Sequence, residues 1–218
     1  MDLESLFLRA LPLLKVAILT TLELGVCAFV LGSIVGLVIA LMRLSRYPAL
    51  RAAAFAYVSV FRGTPLLLQM LLIYFGLPYY GIVMDPFMAA TLALTLFAAG
   101  YLSEDFRAGL LSVEKGQWEA GLSLGMGYAK TLRRVVLPQG LRISIPPVSS
   151  RLIGLMKDTS LASTVTVVEL TRVANQVGAA TFRYMDMFLI VGVLYWVISQ
   201  TLTFAQTFLE SRLTRRHG

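Results

Sequence analysis

Apolar residues fill long stretches of this chain, and polar ones gather in a few short places. A helix crossing a hydrocarbon core about 30 Å thick needs about 20 mostly apolar residues. Three runs meet that description without a charge: 24–42, 87–103 and 187–209. Two more, 52–76 and 143–168, have the length but carry Arg62 in one, and Arg151 and Lys157-Asp158 in the other. The pattern predicts an all-α polytopic membrane protein of five transmembrane helices, forming one domain over residues 1–218. Gly32 and Gly36, four residues apart in the first run, predict a close helix–helix contact. Residues 1–15 have acids before the first base and no small-residue cleavage site, so they read as an amphipathic interfacial segment rather than a removable signal.

The longest polar interruption is 114–138. Residues 118–124 suit a short helix ended by Gly125 and Gly127. Residues 128–136 suit a second, stopped by Pro138 because proline lacks the amide that would continue the ladder. From the residues alone, this pair is either a docking element or an ordinary amphipathic loop between membrane helices.

Composition narrows the class. The chain is 57% hydrophobic and 14% charged, against about 25% charged in soluble domains. Its net charge of +7 has no separate basic domain behind it, which argues against nucleic acid as a partner. The bases instead mark sides. Three lie between 43 and 51, seven between 107 and 151, and three beyond 211: thirteen on one side, against Arg9, Lys15, Arg172 and Arg183 on the other. Because cytoplasmic loops retain Lys and Arg, this predicts the N-terminus outside, with the C-terminus and segment 114–138 inside. Cys27 is the only cysteine and His217 the only histidine, so no disulfide framework or metal-ligand set is expected. No Gly-Lys-Ser/Thr phosphate loop occurs, which excludes the chain from being its own ATPase.

Polar groups at membrane depth are the candidate chemistry. An arginine there costs at least about 2.5 kcal/mol on insertion scales. Arg62 either snorkels to the interface or lines a path made by a broken helix, since Gly63, Thr64 and Pro65 follow it and Gln69 lies close behind. Lys157-Asp158-Thr159-Ser160 sits in the least apolar run. Neighbours on a helix point about 100° apart, so Lys157 and Asp158 suit different partners: a buried structural network, or a zwitterionic solute with hydroxyl donors beside it. Glu104, ending the third run with Asp105 and Arg107, is a further candidate for ligand or gate.

One resemblance sharpens these readings. Glu119-Ala120-Gly121, Gly125 after three intervening residues, and Val135-Val136-Leu137-Pro138 after nine more resemble the coupling motif of ATP-binding-cassette importer permeases, with Gly121 where the family has alanine and Val135 where it has isoleucine. Thr20-Thr21-Leu22, Phe61-Arg62-Gly63-Thr64-Pro65-Leu66, Lys115-Gly116-Gln117-Trp118-Glu119-Ala120 and Lys157-Asp158-Thr159-Ser160-Leu161-Ala162 are similar to the polar amino acid branch. Ala40-Leu41-Met42-Arg43-Leu44-Ser45 and Tyr74-Phe75-Gly76-Leu77-Pro78 are similar to bacterial cystine permeases.

The resemblance implies a type I importer in a bacterial inner membrane. Trp118, Glu119, Ala120, Gly121, Gly125, Leu137 and Pro138 would couple to a cytoplasmic ABC ATPase present in two copies, which holds ATP and Mg while this chain binds no cofactor. An extracytoplasmic binding protein would deliver a polar amino acid, cystine favoured. A second permease copy would complete the path, as a homodimer rather than a heterodimer, embedded in membrane lipid. Arg62, Thr64, Gln69, Glu104, Lys157, Asp158, Thr159 and Ser160 would line that path. The alternative is an ion-gradient-driven secondary amino acid transporter, which would usually be longer and carry paired broken helices in inverted halves.

Overall fold

A single helix of 41 residues, α1 (Leu3–Arg43), opens the structure. At 1.5 Å per residue it is about 61 Å long, roughly twice a hydrocarbon core. The computed structural model describes residues 3–214; His217, Arg215 and Arg216 lie outside the described residues. The expected boundary between an interfacial segment 1–15 and the first span is not seen, because α1 continues through it and through Pro12. The reason is packing. Leu6, Ala10, Leu14 and Ala17 form a buried stripe at helical spacing against Leu170, Val173, Ala174, Met187 and Val191.

Every element among the described residues is helical. After α1 come α2 (Pro48–Gly63) and α3 (Leu66–Leu71), the latter prolonged by a wide π turn and a 3-10 turn to Tyr80. α2 and this continuation meet at 103°, broken at Thr64-Pro65. α4 (Pro86–Leu111) starts on Asp85, whose carboxylate accepts the Met88 amide at 3.1 Å. The polar segment then forms α5 (Lys115–Ser123) and α6 (Tyr128–Thr131), with a π turn at Leu132–Val136. α7 (Leu137–Asp158) runs into a 3-10 stretch, Thr159–Val165, and α8 (Leu170–Thr181) and α9 (Tyr184–Thr214) follow.

α4 is the central helix. Its most apolar window is 56% buried, whereas that of α9 is 11% buried and belongs to the periphery. α1 crosses α4 closely: a Cβ added at Gly32 would fall 3.0 Å from the Ala98 Cβ, and one at Gly36 would fall 3.0 Å from the Leu102 Cβ. The Gly32/Gly36 expectation thus finds its partner in α4. α4 meets α7 as tightly, since a Cβ on Gly140 would sit 2.9 Å from the Leu110 Cα. Three helices are long and apolar enough to cross a membrane (Glu4–Arg43, Pro86–Leu111, Tyr184–Arg212), or four with the bent pair counted as one. α7 has the length, about 33 Å, but it is less apolar because it carries Arg142, Arg151, Lys157 and Asp158.

Pro138 does not end a helix. The chain stays helical from Tyr128 to Asp158, and Pro138 lies in the first turn of α7. The π turn just before it accounts for this, because a widened turn accommodates the missing amide and the ring that a regular ladder would reject.

Candidate functional site

Two regions collect the polar residues, and each is built by local chemistry before any long-range contact.

The first is the break in the second span. Thr64 takes an extended conformation (φ −120°, ψ 146°) ahead of Pro65, so the last carbonyls of α2 lose their helical partners. Gln69 replaces them. Its buried amide nitrogen donates to the Phe61 carbonyl at 3.0 Å, the Thr64 carbonyl at 3.1 Å and the Thr64 hydroxyl at 2.9 Å. Thr64 in turn donates to the Val60 carbonyl at 2.8 Å. Gln69 and Thr64 therefore secure the bend. Arg62, two residues before Thr64, remains exposed, and its guanidinium lies 5.0 Å from the centre of the Tyr101 ring. Its stem lies against Gly100, 3.4 Å from where a Cβ would sit.

The Tyr101 ring carries a second cation. Arg151 from α7 lies 4.6 Å from its centre. Guanidinium over an aromatic face contributes about 0.5–1 kcal/mol at exposed sites and about 2 when desolvated. Tyr101 thereby joins α2, α4 and α7, and it also divides two clefts. On one side, a cleft of about 390 Å³ is lined by Phe97, Tyr101, Ser150, Arg151, Gly154 and Asp158 among others. On the other, one of about 510 Å³ includes Arg43, Ser59, Arg62, Tyr101 and Glu104. Pro147, Ser150, Arg151, Gly154 and Asp158 fall at steps of three and four along α7, so one face of that helix supplies a cation, an anion and a hydroxyl together.

An ion network closes the same end of α4. Glu104 pairs with Arg43 of α1 and with Arg107 at 2.7 Å, and Asp105 pairs with Arg151 at 3.4 Å. Glu104 therefore has its charge answered within the bundle. The adjacent residues Lys157 and Asp158 separate as their spacing implied: Asp158 lines the cleft, while Lys157 is exposed and lines neither cleft. Thr159 is buried and donates to the Met156 carbonyl at 2.7 Å, and Ser160 is half-buried in the following 3-10 stretch.

Sequence reasoning missed three features. Tyr101 gave no signal, because one aromatic in an apolar run looks like packing. Arg151 was visible as a base at membrane depth seven residues before Asp158, and that interval alone puts both on one helical face. Glu169 was also missed. It is fully buried and caps α8, accepting the Thr171 amide at 2.9 Å, the Arg172 amide at 2.8 Å and the Tyr195 hydroxyl at 2.6 Å. Burial pushes its carboxyl above the usual glutamate range, and these hydrogen bonds oppose that without reversing it.

The second region is the α5–α6 segment. Trp118 stacks on Tyr128 with ring centres 4.9 Å apart. Gly121 is buried against Thr131, whose methyl carbon would lie 2.5 Å from an added Cβ, so the alanine of the coupling motif would not fit unless Thr131 gave way. Gly125 turns the chain with φ +72°. Gln139 ties α7 to α5, donating to the Gln117 side chain at 3.0 Å. Leu137 packs with Leu110, Val113 and Val136, while Pro138 is exposed. Glu119 and Ala120 face outward, and Glu119 has no ion-pair or hydrogen-bond partner among the described residues.

This arrangement has close counterparts among solved structures. A crystal structure of an amino acid ABC transporter with histidines contains a chain that superposes with a TM-score of 0.90 at 34% identity, covering 97% of this chain and 99% of that one. The fold also matches a chain of the inward-facing MetNI methionine ABC transporter, with a TM-score of 0.80 at 23% identity. The chain is thus an ABC transporter permease by architecture.

The sequence makes the assignment specific. Residues 28–215 match the family described as the binding-protein-dependent transport system inner membrane component, and the chain belongs to it. It is 44% identical over 208 residues to the L-cystine transport system permease protein TcyB of Bacillus subtilis (strain 168), spanning 94% of this chain and 88% of that protein. It is 37% identical over 204 residues to the arginine transport system permease protein ArtQ of the same organism, spanning 93% of each.

Proposed function

We propose that this chain is the membrane subunit of an ATP-driven importer for a polar amino acid, with cystine as the favoured solute. The cleft bounded by Tyr101 carries the reading: Asp158 offers an anion, Ser150 a hydroxyl, and Arg151 a cation that a solute carboxylate would share with Asp105, which matches a solute bearing carboxylate and ammonium. Such a solute loses less on leaving water when both its charges find partners. The likeness to the L-cystine permease favours cystine over its relatives.

In this reading five spans cross the membrane, the fifth being α7 with the 3-10 stretch, and the N-terminus lies outside. An extracytoplasmic binding protein presents the solute to a pair of permeases, a homodimer in preference to a mixed pair. α5, with Trp118, Glu119, Ala120 and Gly121, and the turn at Gly125 just beyond it dock into an ATPase subunit, and each permease engages one of two such subunits. ATP and Mg stay on those subunits. Glu119 has no internal partner and stands free to pair with a base of the ATPase. Arg62 and Tyr101 form the wall between the two clefts, and the bend secured by Gln69 keeps Arg62 against that ring.

The test is ATPase stimulation by the purified complex with its binding protein, over a panel of amino acids. Cystine should stimulate at the lowest concentration, and Asp158→Asn should lower stimulation by at least tenfold while the complex stays assembled. Undiminished stimulation of the Asp158 variant would remove this cleft from the path, and a different preferred amino acid would reassign the solute.

A further inference from the structure

The bases around the two clefts are not equally occupied. Arg43 and Arg107 share Glu104, and Arg151 pairs with Asp105. Arg62 has no ion-pair or hydrogen-bond partner among the described residues. Its position is set all the same, because its stem packs on Gly100 and its head rests on the Tyr101 ring. Neither contact uses up the five N–H donors of the guanidinium, which face the cleft of about 510 Å³ that Arg62 shares with Ser59 and Glu104.

Spacing indicates what would use those donors. Arg62 and Arg151 each lie within 5.0 Å of the same ring centre, so their guanidinium carbons are at most about 10 Å apart. An amino acid with one carboxylate and one ammonium fills the partners of the Arg151–Asp158 cleft and leaves Arg62 unused. A disulfide-linked pair of amino acids brings a second such head. Its two α-carbons stand about 4.4–6.8 Å apart, and each carboxylate carbon is about 1.5 Å further, so its carboxylates span at most about 10 Å. One carboxylate can therefore reach Arg151 while the other reaches Arg62. The sulfurs then fall beside Tyr101, and divalent sulfur packs favourably about 5 Å from an aromatic ring, often at its edge. The second ammonium has only the Ser59 hydroxyl and Glu104 beside it, and two arginines already share that glutamate. Recognition of the second head thus falls mainly on its carboxylate.

We propose that Arg62 is a specificity-determining residue for a two-headed amino acid, binding the second carboxylate across Tyr101 from Arg151 and Asp158. The planar guanidinium suits this task, since its paired donors match the two oxygens of a carboxylate. The proposal rests on the importer reading with cystine as solute. It supplies a physical reason for that preference: cystine engages a half-site on each side of the ring, and a one-headed amino acid engages one.

The experiment is equilibrium binding of radiolabelled L-cystine and of S-methyl-L-cysteine, a one-headed thioether. Both are measured on the purified full-length permease with its ATPase and without binding protein, so that the permease site alone is read. The unmodified chain should bind cystine at least about tenfold more tightly, the lower end for an added hydrogen bond to a charged group. Arg62→Gln should reduce that preference by about tenfold, through loss of cystine affinity rather than of S-methyl-L-cysteine affinity. Arg62→Lys keeps the charge without the planar fork and should recover part of the loss. Asp158→Asn should weaken both ligands alike, because each brings an ammonium to the first cleft. Equal affinity of the unmodified chain for the two ligands would overturn the second half-site and leave the importer reading standing. So would equal weakening of both ligands by Arg62→Gln, which would make Arg62 a wall residue only. If Asp158→Asn left both affinities intact, the first cleft would fall as the solute site, and this proposal with it.

Discussion

Gly121 shows how much one side chain decides. The coupling motif that this segment resembles has alanine there, yet a Cβ would meet the Thr131 methyl at 2.5 Å and its hydroxyl oxygen at 3.0 Å. The glycine and the threonine are therefore a matched pair, one making the space that the other fills. Overpacking of a fitted core costs about 1–3 kcal/mol. Gly121→Ala should accordingly loosen residues 115–138, seen as faster amide hydrogen exchange there than elsewhere in the chain. Adding Thr131→Ser removes the methyl and should restore most of the protection; a double variant as loose as the single one would contradict the pairing. The same local logic governs Gln69, whose bonds to the Phe61 and Thr64 carbonyls replace what the Thr64-Pro65 break removed. Gln69→Leu should lower thermal stability in detergent by about 1–3 kcal/mol, the cost of leaving buried carbonyls unanswered. Gln69→Glu should do no better, because a carboxylate cannot donate to them.

Among the elements, those defined by neighbouring residues were legible in the sequence and those defined by distant partners were not. Gly63-Thr64-Pro65 announced the break in the second span, and Gly125 announced the end of α5, because proline and glycine act on their own backbone. Gly32 and Gly36 announced a close crossing but could not say that α4 was the partner. Pro138 misled for the opposite reason: its local rule was overridden by a π turn whose cost the packing of Leu132, Val136 and Leu137 offsets. The start of α8 was invisible, since nothing near Glu169 shows that Tyr195, 26 residues on, would donate to it. That cap has a pH signature. The raised carboxyl binds its proton more tightly in the folded state, so it adds stability at low pH and loses it as pH climbs through the raised value. Between the ordinary glutamate pKa of about 4.3 and that raised value, unfolding temperature should rise as pH falls. Glu169→Gln should flatten this dependence, and an unchanged slope would remove Glu169 as its source.

For the molecule as a whole, family and architecture could be read from the sequence because motif spacing survives substitution, whereas the two-sided role of Tyr101 needed the packed bundle. Arg62 and Arg151 are 89 positions apart and meet only through its ring. The importer reading separates two kinds of failure. Glu119→Lys should abolish solute-stimulated ATPase activity by weakening engagement of the ATPase, measured as reduced co-purification of that subunit, while the unfolding temperature of the permease stays unchanged. Full co-purification with normal uptake would show that Glu119 does not contact the motor.

The length of α1 has a mechanical corollary. At Arg43 it is tied by charge to Glu104, and some 26 residues or more away, from Leu6 to Ala17, it is bedded on α8 and α9. A continuous helix held at both tips links the two faces of the membrane, so a displacement of either end should be felt at the other.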